Sequence, residues 1–123
     1  MSLSARPTPA QASGGEAEDA AAEFLVAHGL HIVRRNYRTR LGEIDLIARD
    51  GATLVFVEVR LRGESVYGGA LASVTPRKQR RIVAAARQFL MGLARTPPCR
   101  FDVIAMESAT PQWIRGAFDA TEG

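Results

Sequence analysis

The chain has 123 residues, 46% hydrophobic and 24% charged, with sixteen basic against thirteen acidic side chains and a net charge of +3. That length predicts one globular domain with a real core and excludes disorder over most of the chain. No apolar run approaches the ~20 residues of a membrane helix, residues 1–13 carry no secretory apolar segment, and the lone Cys99 excludes an intrachain disulfide and a cysteine-based zinc site, so a cytoplasmic protein without a membrane partner is expected.

Residues 1–13 are rich in Ser, Ala, Pro and Thr and read as a flexible tail ahead of a single domain over 14–123. From Glu16 to His28, the residues Ala17, Ala20, Ala21, Phe24, Leu25 and His28 recur at helical spacing, and Gly29 supplies a C-terminal cap. Three β-rich segments follow, His31–Arg38, Glu43–Arg49 and Thr53–Leu61, with Asp50-Gly51 as the hairpin signal between the last two. Gly63–Ser73 is Gly-rich and predicts an irregular, mobile loop. A second helix starts with Thr75 as N-cap and Pro76 at its first position, and carries an apolar stripe of Ile82, Ala85, Ala86, Phe89, Leu90 and Leu93. Arg100–Met106 reads as a fourth strand and Gln112–Phe118 as a fifth at an edge. The order αβββαβ(β), with central strands apolar on both faces, predicts an α/β mixed sheet with a helix on each side.

Taking Asp50-Gly51 as a two-residue loop pairs Arg49 with Ala52, Ile47 with Leu54, Asp45 with Phe56 and Glu43 with Glu58. One face of this hairpin is then apolar throughout: Ile44, Leu46, Ala48, Val55, Val57 and Val59. The other is apolar near the turn and ionic at its far end, with Glu43, Asp45, Glu58 and Arg60. Carboxylates crowded at one margin repel, and burial sharpens the repulsion. Two explanations stay open. A divalent cation such as Mg²⁺ accepts two or three carboxylates with water, or Arg60 and Arg62 neutralise the acids in an ion-pair cluster.

Charge is segregated along the chain. Between Ser65 and Phe101 there is no acidic residue, while Arg77, Lys78, Arg80, Arg81, Arg87, Arg95 and Arg100 fall there; Arg34, Arg35, Arg38 and Arg40 form a second basic cluster. Such a pattern predicts an anionic partner, most commonly nucleic acid. Cations crowding the start of the second helix oppose its dipole, a conflict that a bound phosphate would reverse.

Gly42-Glu43-Ile44-Asp45-Leu46-Ile47 followed by Phe56-Val57-Glu58-Val59-Arg60-Leu61-Arg62 resembles the PD-(D/E)-x-K nuclease signature, an Asp on one strand and acid-x-Lys on its neighbour. Together with Glu18-Asp19-Ala20-Ala21-Ala22-Glu23-Phe24-Leu25, Arg35-Asn36-Tyr37-Arg38, Lys78-Gln79-Arg80-Arg81-Ile82 and Arg100-Phe101-Asp102-Val103, it resembles the YraN-like family of small bacterial predicted endonucleases over about Gly14–Phe118. The resemblance implies a restriction-endonuclease-like core similar to Holliday-junction resolvases, and a Mg²⁺- or Mn²⁺-dependent nuclease acting on DNA, including branched DNA. It implies Asp45 and Glu58 as principal metal ligands with Glu18 from the first helix, and it leaves Glu43 to pair with an arginine. The superfamily's lysine position is Arg60, which stays protonated and cannot take a proton from water, though it can stabilise charge on a phosphate.

Lys78 lies four residues before Ile82, on the inward stripe of its helix, so its ammonium could reach the ionic margin; the other reading has its stem covering core edge with the head in water. Asp45, Glu58, Arg60 and Lys78 are thus the candidate catalytic residues. Arg77, Lys78, Arg80, Arg81, Arg62, Arg38 and Tyr67 are the candidate nucleic-acid contacts. His28 and His31 read as structural, and Trp113 as a core cap or, less simply, a base-stacking surface. The rival to an enzyme is a nucleic-acid-binding module that keeps the fold without the chemistry. A second copy of the chain is a candidate partner.

Overall fold

Helix α1 (Gly14–Ala27) ends where the sequence expects it. Gly29 adopts φ +93°, and the amides of Gly29 and Leu30 close back on the carbonyls of Val26 and Leu25, each at 3.0 Å. This capping pair satisfies carbonyls the helix would otherwise leave open. In this computed structural model, residues 14–61, 73–106 and 111–120 are described. The expected tail, the candidate contacts Arg62 and Tyr67, and most of the expected Gly63–Ser73 loop lie outside them.

Three antiparallel strands follow: β1 (His31–Arg38), β2 (Glu43–Asp50) and β3 (Thr53–Leu61). Helix α2 (Pro76–Met91) then leads to β4 (Cys99–Met106), which lies parallel to β3, and β5 (Gln112–Phe118) closes the sheet antiparallel to β4. The sheet order is β1-β2-β3-β4-β5. The α/β mixed sheet predicted from the sequence is therefore the fold observed, fifth strand included. Parallel strands need a long crossover, and α2 provides it. Its start is as predicted: Thr75 Oγ1 accepts the Lys78 amide at 3.2 Å, with Pro76 in the first turn.

The two helices cover opposite faces. Ala17, Ala21 and Leu25 of α1 pack on Leu46, Ala48, Val55, Val57, Ile104 and Met106. Ile82, Val83, Ala85 and Ala86 of α2 pack on Ile47, Leu54, Phe56, Phe101, Val103 and Ala105. Leu93, expected on the buried stripe, lies beyond the end of α2 and is exposed. Among the described residues, no helix is long and apolar enough to cross a membrane.

Two sequence expectations about the hairpin need correction. The β2–β3 loop is Gly51-Ala52, not Asp50-Gly51: Asp50 pairs with Thr53, Arg49 with Leu54 and Ile47 with Phe56. Gly51 takes φ +61° at the first central position, the place where a type II′ turn requires glycine. The pairing thus shifts by two residues, which preserves which side chains share a face. The second correction concerns Ile44, expected beside Leu46 and Ala48. It packs instead with Ile47 on the α2 side. Alternation breaks at Asp45, whose carboxylate, through Oδ2, accepts the Val59 amide of β3 at 2.8 Å.

Candidate functional site

The last regular rung between β2 and β3 is Leu46–Val57, so the next residue on each strand is Asp45 and Glu58. The corrected register puts these two acids beside each other at the sheet margin, where the sequence-based pairing would have set Asp45 against Phe56. Both helices begin at this margin. Glu18 from the first turns of α1 and Lys78 from the first turn of α2 line one pocket of about 170 Å³ with Glu43, Asp45, Glu58 and Arg60.

Glu58 is 6% exposed. Its Oε2 receives two cations, Arg60 Nη1 at 3.1 Å and Lys78 Nζ at 3.2 Å. The Arg60 Nε donates to Ser73 Oγ at 3.0 Å, a second anchor for the guanidinium that meets Glu58. Lys78 is the chain's single lysine, and its head reaches the ionic margin while part of the side chain stays in solvent.

Burial pushes the Glu58 carboxyl up to about 7; the neighbouring Asp45 charge adds to this, and Lys78 and Arg60 pull the other way. Burial likewise raises Asp45 to about 6, opposed by the Val59 amide; the Glu18 charge raises it further, and a hydrogen bond with Glu58 lowers it. Two cations and an amide thus fail to offset the desolvation of this pair together with the repulsion of Glu58 by Asp45 and of Asp45 by Glu18. That balance marks a place where more positive charge would be favourable.

The chemistry of the donors fits a small hard cation. Mg²⁺ is commonly held by one or two carboxylates, with water and substrate phosphate completing the shell. Glu18, expected as an additional ligand beside Asp45 and Glu58, does not complete a three-acid set, however. Among the described residues, no three His, Cys, Asp or Glu side chains are arranged to hold a metal ion together. One reason is visible in Glu58, whose Oε2 faces Arg60 and Lys78. The fit is to two carboxylates, Asp45 and Glu58, with Glu18 on the pocket wall.

The candidate nucleic-acid contacts divide. Arg77, Arg80 and Arg81 are exposed on the first two turns of α2, beside the pocket's Lys78. Arg38 is exposed at the end of β1, paired in register with Glu43. The turn between β1 and β2 docks on α2: a Cβ added to Gly42 would sit 2.1 Å from the Arg81 carbonyl oxygen. Thr39 builds that turn, its Oγ1 accepting the amides of Leu41 and Gly42 at 3.0 Å. Trp113 is committed to structure rather than to a base. Its Nε1 donates to Asp102 at 2.9 Å, Arg115 lies 3.9 Å over its ring, and the Phe24 and His28 rings meet it edge-on.

Sequence reading missed three residues. Ser73 orients Arg60. Asp102, fully buried on β4, binds Arg100, Trp113 and the Gly116 amide. Asn36 has φ +51° inside β1. An Asn amid strand residues was the available signal for the last, since Asn is depleted in strands.

Residues 17–106 match the model of "Uncharacterised protein family UPF0102". A UPF0102 protein of Cupriavidus taiwanensis is 58% identical over 112 residues, covering 89% of this chain and 85% of the relative. One from Ralstonia nicotianae is 54% identical over 117 residues (91% and 90%), and one from Alkalilimnicola ehrlichii 49% over 116 residues (93% and 92%). The matched span holds Glu18, Asp45, Glu58, Arg60 and Lys78, and it stops at the end of β4. The YraN-like resemblance of the sequence motifs is to this same group: the chain belongs to the UPF0102 family.

Proposed function

We propose that this protein is a divalent-metal-dependent nuclease that hydrolyses DNA phosphodiester bonds, branched DNA among the candidate substrates. The observation that carries the reading is the convergence of Asp45, Glu58, Glu18 and Lys78 on one pocket at the starts of both helices. Asp45 and Glu58 would hold Mg²⁺ or Mn²⁺, which polarises a phosphate oxygen and lowers the pKa of bound water. Lys78 and Arg60 offset negative charge gathering on the phosphate. The chain's only lysine thus supplies the ammonium that the acid-x-Lys position lacks, where Arg60 stands. Arg77, Arg80 and Arg81 at the start of α2 hold the backbone on either side, with Arg38 beyond the Glu43 end of the pocket. The protein works in the cytoplasm in this reading.

A second reading is favoured by one observation: Glu58 Oε2 is already bridged by two cations. A binding module that neutralises its acids internally would still present the α2 arginines to nucleic acid. The test is a cleavage panel of duplex, single-stranded and four-way-junction DNA with Mg²⁺ or Mn²⁺, run with the parent protein and with Asp45→Asn and Lys78→Ala. The nuclease reading expects metal-dependent cleavage that both substitutions abolish or reduce at least about a hundredfold. Cleavage that persists in Asp45→Asn contradicts it, and binding without cleavage on every substrate supports the module.

A further inference from the structure

We propose that Asn36 is a positioning residue for this site: its left-handed backbone inverts the pleat of β1 and β2 together and so turns the Asp45 carboxylate onto β3. The functional consequence rests on the metal-site reading above; the geometric claim does not.

The argument starts from side-chain alternation. Arg34 lies opposite Ile47 and Arg35 opposite Leu46. Ile47 packs on the α2 side and Leu46 on the α1 side, and Arg35 accordingly forms an ion pair with Asp19 of α1. Strict alternation would return Tyr37 and Ile44, two residues further along, to the α1 side. They lie on the other. Tyr37 meets the Phe89 ring of α2 edge-on with centroids 5.3 Å apart, and Ile44 belongs to the α2-side core.

The pairing nevertheless stays in step, with Tyr37 opposite Ile44 and Arg38 opposite Glu43. An ordinary bulge changes the register, as the one between Ile32 and Arg34 does. Here each strand loses one alternation at the same place, Asn36 and Asp45 being the residues between the Arg35–Leu46 and Tyr37–Ile44 pairs. Asn36 is the one non-glycine residue with positive φ among those described. Asn is the side-chain-bearing residue that tolerates this region best. It is exposed, so what it contributes is a backbone conformation. The partner strand answers at Asp45, which leaves the regular ladder and binds the Val59 amide at 2.8 Å through its carboxylate. That bond fixes the acid beside Glu58.

The experiment compares Asn36→Gly, Asn36→Ala and Asn36→Val by NMR and by calorimetric titration with MnCl₂. Glycine reaches positive φ freely and valine does not. Asn36→Gly is expected to keep the slow exchange of the Val59 amide and the parent's Mn²⁺ affinity. Asn36→Val is expected to lose Val59 protection and to bind Mn²⁺ about ten- to a hundredfold more weakly, with the Leu46–Val57 to Arg49–Leu54 rungs intact. Asn36→Ala shows the same loss in smaller measure, and decides the matter should the valine variant fail to fold. A valine or alanine variant with the parent's Val59 amide and Mn²⁺ affinity overturns the proposal, as does a glycine variant that loses both. If the parent binds no Mn²⁺ yet Asn36→Val still frees the Val59 amide, the metal reading falls and the positioning claim stands.

Discussion

Two acid sites, one on β4 and one at the β2–β3 margin, are treated in opposite ways. Asp102 on β4 is fully buried, and four donor groups surround it: Arg100 Nε at 2.9 Å and Nη2 at 3.1 Å, Trp113 Nε1 at 2.9 Å and the Gly116 amide at 2.9 Å. Gly116 takes φ +61° to aim its amide there, and Arg100 reaches on to Asp50 in the β2–β3 turn at 3.2 Å. At Asp45 and Glu58, by contrast, burial raises both carboxyls, the Asp45 charge raises Glu58 further and the Glu18 charge raises Asp45 further, and the groups around them do not fully compensate. A structural acid brings its donors with it. The acids at the margin are left short of positive charge, and that shortfall is the physical basis of the proposal that a cation sits there.

The contrast is sharpest under mutation of Asp102. Asp102→Ala strands Arg100 and frees the Trp113 and Gly116 donors, and removing one partner from such a buried network costs roughly 3–5 kcal/mol. Denaturant unfolding should register that loss, while the folded fraction keeps the parent's Mn²⁺ affinity. The opposite sign is expected at the margin. Asp45 and Glu58 have ordinary values of 3.8 and 4.5 and folded values of about 6 and 7. Below about pH 3 both states are protonated and no penalty exists; as pH rises from about 3 to 7 the unfolded chain ionises first, so stability falls. In the absence of divalent metal the loss is on the order of 3 kcal/mol, given about 1.4 kcal/mol per unit and coupling between the two sites. Thermal unfolding across this pH window, with and without Mg²⁺, checks it, and Asp45→Asn should flatten the slope. A parent whose stability rises over the same range would erase the distinction between the two acids.

Smaller effects refine the account. Gly42→Ala drives a Cβ into the Arg81 carbonyl oxygen, backbone against backbone, and should cost about 2 kcal/mol in unfolding free energy. If the α2 arginines hold DNA as proposed, it should also weaken that binding by displacing them, which fluorescence anisotropy at low salt would measure. Least of all, Lys78→Ala should change stability by under about 1 kcal/mol, because its side chain is partly solvated. What effect it has should appear above pH 7, where Glu58 is ionised and misses its partner.

Much of this molecule can be read from its residues. Thr75-Pro76 and Gly29 announce helix ends because caps are local chemistry, and the near-continuous apolar runs in Leu54–Val59 and Phe101–Met106 announce strands buried on both faces. The acids at the margin could be read as well, because Glu43, Asp45 and Glu58 interrupt otherwise apolar segments. What escaped depends on contacts distant in sequence or on one backbone angle. The shift from Asp50-Gly51 to Gly51-Ala52 as the loop moves every rung by two, and it turns on a single glycine φ. The displacement of Ile44 requires knowing that Asp45 bonds to Val59, fourteen residues away. Asp102 looks like any strand acid until Trp113 and Gly116 fold back onto it. Lys78 could be placed on the inward stripe of its helix, but its meeting with Glu58 needed the helix docked.

The central claim is that Asp45 and Glu58 form a place for a divalent cation. Calorimetric titration of MnCl₂ into the parent protein and into Asp45→Asn at neutral pH tests it most directly. One saturable site in the parent, absent from the variant, is the predicted result; no binding in the parent, or equal binding in both, would contradict it.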